Sequence, residues 1–441
     1  MNSSFRIALL VGLSSGLTAF DETALGVALP TLQSDLATTA TAAKWAVNAY
    51  LVAMAGLVAA CGRLADFVPA QRLWRWGVAV FTVSSLGAGA APGIEGLIAF
   101  RIVQGAGSAM IFTMSVVLIG QHCPPEKRGQ AFGIFSSCAT AMLLAGPILG
   151  GILTHYLSWR WVFWVTVPPA LFCLLALRLP DTAAPRDGHP VSFDLIGAMG
   201  LAVAVIALSL TLMQGESWGW RAPQILGLGL LAVLSATGFV LHELRRDDPL
   251  IHLRLLRNPT VSIALGLLFL AQYRRVTTSI FIALFLRNTL GLSPLMAGLA
   301  LVPAVLVLPV STVLIGRLAD QLGARPVVLT GAACVALATT GMTLATDLES
   351  YWILLPALLL AGTVAPSMFG PTRKAMLRAL DPRYHAQIGG LSVTAQMLGG
   401  TSAISVGTVL LHATGATWPI FAVVTALLVA MTLVGVRKFA L

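Results

Sequence analysis

Gly62-Arg63-Leu64-Ala65-Asp66 returns letter for letter as Gly316-Arg317-Leu318-Ala319-Asp320. Each copy occupies a polar gap between long apolar stretches, and together they mark an internal repeat. Working outward from them, the chain divides into apolar segments of about 20 residues, the length that carries an α-helix across a bilayer's hydrocarbon. We place these at residues 7–30, 44–62, 74–92, 95–119, 130–154, 160–179, 194–213, 224–242, 259–286, 294–315, 326–346, 351–371, 386–411 and 416–436. The prediction is an all-α polytopic membrane protein of fourteen spans. With six spans in each half, the second copy would follow the eighth span. It follows the tenth, so the seventh and eighth read as a pair inserted between the halves. The expected organisation is a six-helix half over 1–179, two inserted transmembrane helices with cytoplasmic loops over 180–257, and a second six-helix half over 258–441.

Composition agrees. Of 441 residues, 57% are hydrophobic and 10% charged, against roughly 25% charged in soluble domains. The mean hydropathy is +0.88. Connections this short leave no room for a soluble catalytic module. The net charge of +10 raises nucleic acid as a partner, but the basic residues sit in short clusters between apolar segments rather than along one face, which excludes it. Those clusters set the orientation. Of 27 Lys and Arg, twenty fall on the side of the N-terminus, four on the other (Lys44, Arg160, Arg221, Arg287), and three inside spans (Arg101, Arg274, Arg275). The expected location is the cytoplasmic (inner) membrane, multi-pass, with both termini cytoplasmic and no cleavable signal peptide. The five cysteines are odd in number, lie in or beside apolar segments and show no CxxC spacing, so they read as reduced packing residues. There is no Gly-x-x-x-x-Gly-Lys-Ser/Thr loop for ATP and no His-x-x-x-His pair for a metal. Gly105-Ala106-Gly107 lacks the third glycine of a dinucleotide loop. The sequence therefore predicts no enzyme, no cofactor and no metal.

Glu95 and Asp194 stand at the first residues of their spans, and of the seventeen acids only Asp21 and Glu22 lie in the interior of one. An ionised, unpaired carboxylate there costs several kcal/mol, so such residues mark ion pathways. The alternative is a structural ion pair with an intramembrane arginine. Arg101 is the only charge in the interior of the fourth span, and reads either as the group that neutralises an acid across the cavity or as a strut bonded to carbonyls. Asp21 precedes the first repeat copy by 41 residues, and Arg275 precedes the second by the same 41. The Arg274–Arg275 pair thus occupies in the ninth span the place of the acids in the first. Three readings stand for it: an ion pair between halves, a seat for an anionic group, or a side chain snorkelling to an interface.

In order along the chain, several motifs resemble the major facilitator superfamily, and in particular its fourteen-span drug:proton antiporter branch. Asp21-Glu22-Thr23-Ala24-Leu25-Gly26-Val27-Ala28-Leu29-Pro30 is similar to the branch's first-span motif. Arg101-Ile102-Val103-Gln104-Gly105-Ala106-Gly107 resembles its fourth-span motif, and Gly146-Pro147-Ile148-Leu149-Gly150-Gly151 its antiporter motif. Ser158-Trp159-Arg160-Trp161 and Ser217-Trp218-Gly219-Trp220 are further landmarks. The chain departs from the pattern after Asp66, where Phe67-Val68-Pro69-Ala70-Gln71-Arg72 replaces a more basic run, and at Gln396, where the branch often has Arg. The resemblance covers nearly the whole chain.

It implies two halves that rock about a central site, with Asp21 as the cavity-facing proton site, Glu22 beside it and Arg101 gating it. Arg274, Arg275 and Gln104 are the substrate-binding candidates. Gly146, Pro147, Gly150 and Gly151 are expected to make a tight, bent helix contact that limits leak. Gly62, Asp66 and Arg72 with Gly316, Asp320 and Arg325 are expected to form the cytoplasmic gate, the two acids capping neighbouring helices. The leading expectation is a monomeric, proton-coupled exporter of small amphipathic compounds. Its alternatives are a carrier of an anionic metabolite using Arg274 and Arg275, and a non-transporting sensor with the same fold.

Overall fold

The computed structural model describes residues 3–65, 67–177, 194–246, 249, 251–292, 294–381 and 384–438, and these are all-helical. In chain order the helices are α1 (Ser3–Asp35), α2 (Ala40–Leu64), α3 (Ala70–Ala90), α4 (Ile94–His122), α5 (Arg128–Tyr156), α6 (Trp161–Trp164), α7 (Val167–Ala176), α8 (Leu195–Trp218) and α9 (Pro223–Leu244). There follow α10 (Pro259–Thr277), α11 (Ala283–Asn288), α12 (Pro294–Leu306), α13 (Leu308–Gln321), α14 (Ala324–Asp347), α15 (Tyr351–Val364), α16 (Gly370–Arg378), α17 (His385–Thr414) and α18 (Trp418–Lys438). A π-turn, Thr278–Ile282, joins α10 to α11.

Eleven helical stretches are long and apolar enough to cross a membrane, and Trp161–Ala176 is a shorter apolar one. Fourteen were expected. The two further stretches are α1, which carries Asp21 and Glu22 near its middle, and α3, which opens on Gln71, Arg72 and Arg75.

The apolar core is distributed unevenly. At the end bearing the two Gly-Arg-Leu-Ala-Asp copies, one continuous cluster joins α1, α3, α4 and α5 to α10, α14, α16 and α17. At the opposite end it separates into two. One, around Phe20, Leu32, Trp159 and Phe163, belongs to the N-terminal helices; the other, around Phe281, Phe285, Met342 and Leu358, belongs to the C-terminal helices. The molecule is thus closed at the repeat end and divided at the other.

Small residues close the repeat end. A Cβ on Gly316 would lie 2.5 Å from the Gly129 carbonyl oxygen, and one on Gly133 2.7 Å from that of Thr312, so α5 and α13 touch backbone to backbone. Gly390 of α17 meets α2 in the same way, 3.1 Å from the Val58 carbonyl oxygen and 3.4 Å from the Gly62 Cα. The contacts place both repeat glycines, Gly62 and Gly316, at crossings between N-terminal and C-terminal helices. Asp66, expected at the gate, lies outside the described residues.

Helices α8 and α9 pack on each other, and α8 lies against both α2 and α17. Asp194 caps α8 through the Gly197 amide at 2.9 Å and also receives His242 at 3.0 Å. At the other end Gly219 takes φ +90° to turn the chain, and Trp220 folds over Gly215, where a Cβ would collide with its ring at 2.6 Å.

Gly316→Leu is expected to cost about 1–3 kcal/mol through overpacking, read as a lower Tm of the detergent-solubilised protein. Gly298→Leu is the control: nothing lies within 4 Å of its Cβ, so its Tm should match the parent. Equal Tm values for both would refute the close approach of α5 and α13.

Candidate functional site

An ionised carboxylate within a helix bundle needs a cation, and α1 finds one on α4. Arg101 donates to Asp21, and both side chains are fully buried. The guanidinium is held through its Nε and Nη1. Its Nε donates to the Ala46 carbonyl of α2 at 2.7 Å and Nη1 also to Gln104 Oε1 at 2.6 Å. It lies 4.3 Å from the Tyr50 ring centroid and 5.6 Å from that of Phe163, where cation–π attraction adds to the pairing. Gln104 then spends its amide nitrogen on Asp21 Oδ1 at 3.2 Å and Ser85 Oγ at 2.9 Å, and Ser85 meets Thr166 at 3.1 Å. Gln104, a substrate-binding candidate in the sequence, is therefore buried within the ion-pair network. Arg101 Nη2 is buried with no partner among the described residues.

Glu22 points elsewhere. It is half-buried and lies within electrostatic reach of Arg275 on α10 as well as Arg101. Arg275 donates from Nε to Gln272 at 3.0 Å. Arg274 is 6% exposed, and its Nε is buried without a partner among the described residues.

The spacing from the repeat copies paired Asp21 with Arg275. Burial gives a different register: when Asp21 is laid on Arg274, every buried residue of α1 from Ile7 to Leu25 except Gly16 falls on a buried residue of α10 or the π-turn. The π-turn adds one residue between the arginines and the second copy, which accounts for the slip. The inward-facing pair is thus Asp21 and Arg274, and the half-exposed pair is Glu22 and Arg275.

The antiporter-like motif braces α1. Pro147 has no N–H, so the Leu143 carbonyl one turn earlier loses its helical donor. The Thr23 hydroxyl supplies one at 3.0 Å, although it also lies near its own helix's Ala19 and Phe20 carbonyls. Gly146 makes room for it, since a Cβ there would overlap the Thr23 hydroxyl, and Gly150 sits against Ala24 at 2.8 Å. Gly151 is less constrained, with Val27 3.9 Å from its Cβ position. At the far end of α1, Trp159 Nε1 and Arg160 Nη1 donate to Asp35 at 2.8 and 2.5 Å. They hold that carboxyl below the usual carboxylate range.

At the repeat end Asp320 accepts from the Gly129 and Gln130 amides, each at 2.9 Å, capping α5 across the crossing. Its cation is Lys374 of α16, which also donates to the Ala319 carbonyl at 2.9 Å. Arg325, the expected partner, instead donates to the Val436 carbonyl at 3.3 Å and is exposed. Arg72 is exposed on α3. Lys374 was missed because loop cations look alike in sequence. Arg373, counted with them, is 1% exposed between the Phe112 and Phe135 rings.

The Major Facilitator Superfamily model matches residues 11–401 and 263–440. The chain is 31% identical over 401 residues to the tetracenomycin C resistance and export protein of Streptomyces glaucescens, covering 90% of this chain and 73% of that one. It is 32% identical over 414 residues to a puromycin resistance protein of Streptomyces alboniger (91% and 80% covered). It is 34% identical over 402 residues to a cephamycin export protein of Amycolatopsis lactamdurans (88% and 81%). Among solved structures, a human organic anion transporter superposes with TM-score 0.71 at 15% identity (99% and 100% covered). A proton:xylose symporter superposes with TM-score 0.66 at 16% identity (99% and 96%).

Two changes test the geometry. Arg101→Leu leaves Asp21 buried and unpaired, at a cost of roughly 3–5 kcal/mol, and removing both charges as Asp21→Leu/Arg101→Leu should recover part of it. Additive single costs in a denaturation cycle would mean the two do not pair. Thr23→Val leaves the Leu143 carbonyl unsatisfied and should cost about 1–3 kcal/mol. The same change made with Pro147→Ala, which restores that carbonyl's own donor, should cost less.

Proposed function

The chain belongs to the major facilitator superfamily, and on that premise we propose that it is a proton-coupled exporter of small amphipathic compounds, antibiotics among them, working by alternating access. Membership makes it a membrane transporter and not an enzyme. The resistance and export roles named for its relatives support drug export.

The observation that carries the coupling is the division of labour on α1. Asp21 is locked to Arg101, while Glu22, one residue on, is half-buried and within reach of Arg275 on α10. A proton taken from outside neutralises one of these acids. Its attraction for an arginine is then lost, and the α1 and α10 sides of the cavity can separate or close.

We read all fourteen predicted stretches as spans, with six-helix halves over 1–179 and 258–441 and the α8–α9 pair between them. The excess of Lys and Arg on the repeat side puts that side and both termini in the cytoplasm. The conformation described is then shut toward the cytoplasm, with Asp320, Lys374 and the α5 N-terminus as its latch. The Gly146–Gly151 contact keeps α1 against α5 as the halves rock, and one chain suffices.

Proteoliposomes with a pH-sensitive dye inside test this. Tetracenomycin C should collapse an imposed pH gradient with the parent protein and not with Asp21→Asn. Collapse by Asp21→Asn but not by Glu22→Gln moves the proton to Glu22. Drug flux indifferent to the gradient in the parent overturns proton coupling.

A further inference from the structure

One turn of α10 carries three hydrogen-bond donors that nothing satisfies. Tyr273 Oη, Arg274 Nε and Thr277 Oγ1 are all buried without a partner among the described residues, and their residues are 3%, 6% and 0% exposed. Thr277 stands four residues from Tyr273 and three from Arg274, so it lies between them around the helix and the three fall within a sector of about 100°. The π-turn begins immediately after them. Buried polar groups are usually paired. Among the described residues others also lack a partner, Arg101 Nη2, Thr372 Oγ1 and Arg373 Nε and Nη2 among them. The α10 trio is set apart by its place beside Arg275, which is within electrostatic reach of Glu22.

The charges identify the acceptor. On α1 the equivalent inward position is Asp21, and it has Arg101. From residue 259 onward the acids are Asp320, Asp347, Glu349 and Asp381. Asp320 is held by Lys374, and Asp347 and Glu349 lie at the exposed end of α14. Asp381 is exposed beyond α16. None lies inside a helix near Arg274. The other buried lone cation, Arg373, rests against two aromatic rings; Arg274 has no such contact among the described residues. Arg101 pairs with Asp21 and Arg275 lies within electrostatic reach of Glu22, so Arg274 is left as one positive charge in excess.

We propose that Tyr273, Arg274 and Thr277 form an anion-binding subsite, and that the exported compounds carry a monoanionic group, a carboxylate or ionised phenol, which seats there. A planar carboxylate matches a guanidinium fork, and the two hydroxyls complete its acceptor positions. The apolar remainder of the guest would lie toward the divide between the two apolar clusters. An anion leaving in exchange for a proton moves charge in one direction twice, so an inside-negative potential adds to the pH gradient as driving force.

This deepens the exporter reading, and it is tested at equilibrium with no gradient, so a failure of proton coupling would not disturb it. The purified full chain in nanodiscs is titrated with 1-naphthoate and 1-naphthamide, which share a ring system and differ in charge. Naphthoate should bind the parent and raise its Tm, and naphthamide should bind at least about tenfold more weakly. Arg274→Gln should weaken naphthoate about tenfold or more, and Tyr273→Phe, which keeps the charge, about threefold. Should Arg274→Gln fail to fold, Tyr273→Phe and Thr277→Val carry the test. Equal naphthoate binding by parent and variants overturns the subsite, as does naphthamide binding as tightly as naphthoate. Exchanging gluconate for chloride distinguishes the source of the anion. Chloride that stabilises the parent but not Arg274→Gln, without naphthoate competing, marks an inorganic anion and overturns the assignment to the transported group.

Discussion

A bilayer gives an ionised side chain no water to fall back on, so a carboxylate in the middle of α1 dictates what must surround it. Arg101 answers Asp21, and satisfying a guanidinium takes several partners. They come from the Ala46 carbonyl and Tyr50 ring of α2, Gln104 of α4 and Phe163 of α6, while Gln104 brings in Ser85 of α3. One ion pair thereby fixes five helices relative to one another. The helices that could otherwise slide on apolar faces are given a single register at the depth where the chemistry lies.

Away from that depth, close approach does the work that charge does at the centre. Helices of like hydropathy gain no hydrophobic advantage from each other in lipid, so contact relies on packing of small residues and a few hydrogen bonds. Gly129 against Gly316, and Gly390 against Gly62, let backbones touch where N-terminal and C-terminal helices cross. Asp320 adds direction by capping α5. Such crossings contain little apolar side chain to peel apart, as the proposed alternating access would need.

Much of this was legible in the sequence. The apolar periods gave the helices, the five-residue repeat located the crossings, and the scarcity of intramembrane acids singled out Asp21 and Glu22. What was not legible depended on which way a side chain points. Arg373 and Lys374 are neighbours in a basic cluster, yet one is packed between rings and the other holds Asp320. Counting residues to the repeat copies aligned Asp21 with Arg275, because a count cannot register a π-turn's extra residue. Thr23 stood in a quoted motif, but its task depends on a carbonyl freed by a proline on another helix.

The α8–α9 pair is fastened both to an N-terminal helix, α2, and to a C-terminal helix, α17. Its inner helix rests on α2 through Ile206 against Gly56, and on α17 through the Leu212 carbonyl, which takes the Ser405 hydroxyl at 2.6 Å. Whenever α2 and α17 change their mutual angle, α8 cannot follow both. It must slip along one of them or flex, and either resists the motion with a restoring force. Under the alternating access proposed above, the α8–α9 pair would act as a leaf spring laid across a joint, setting how stiffly the joint turns while contributing no charge at the depth of the ion pair.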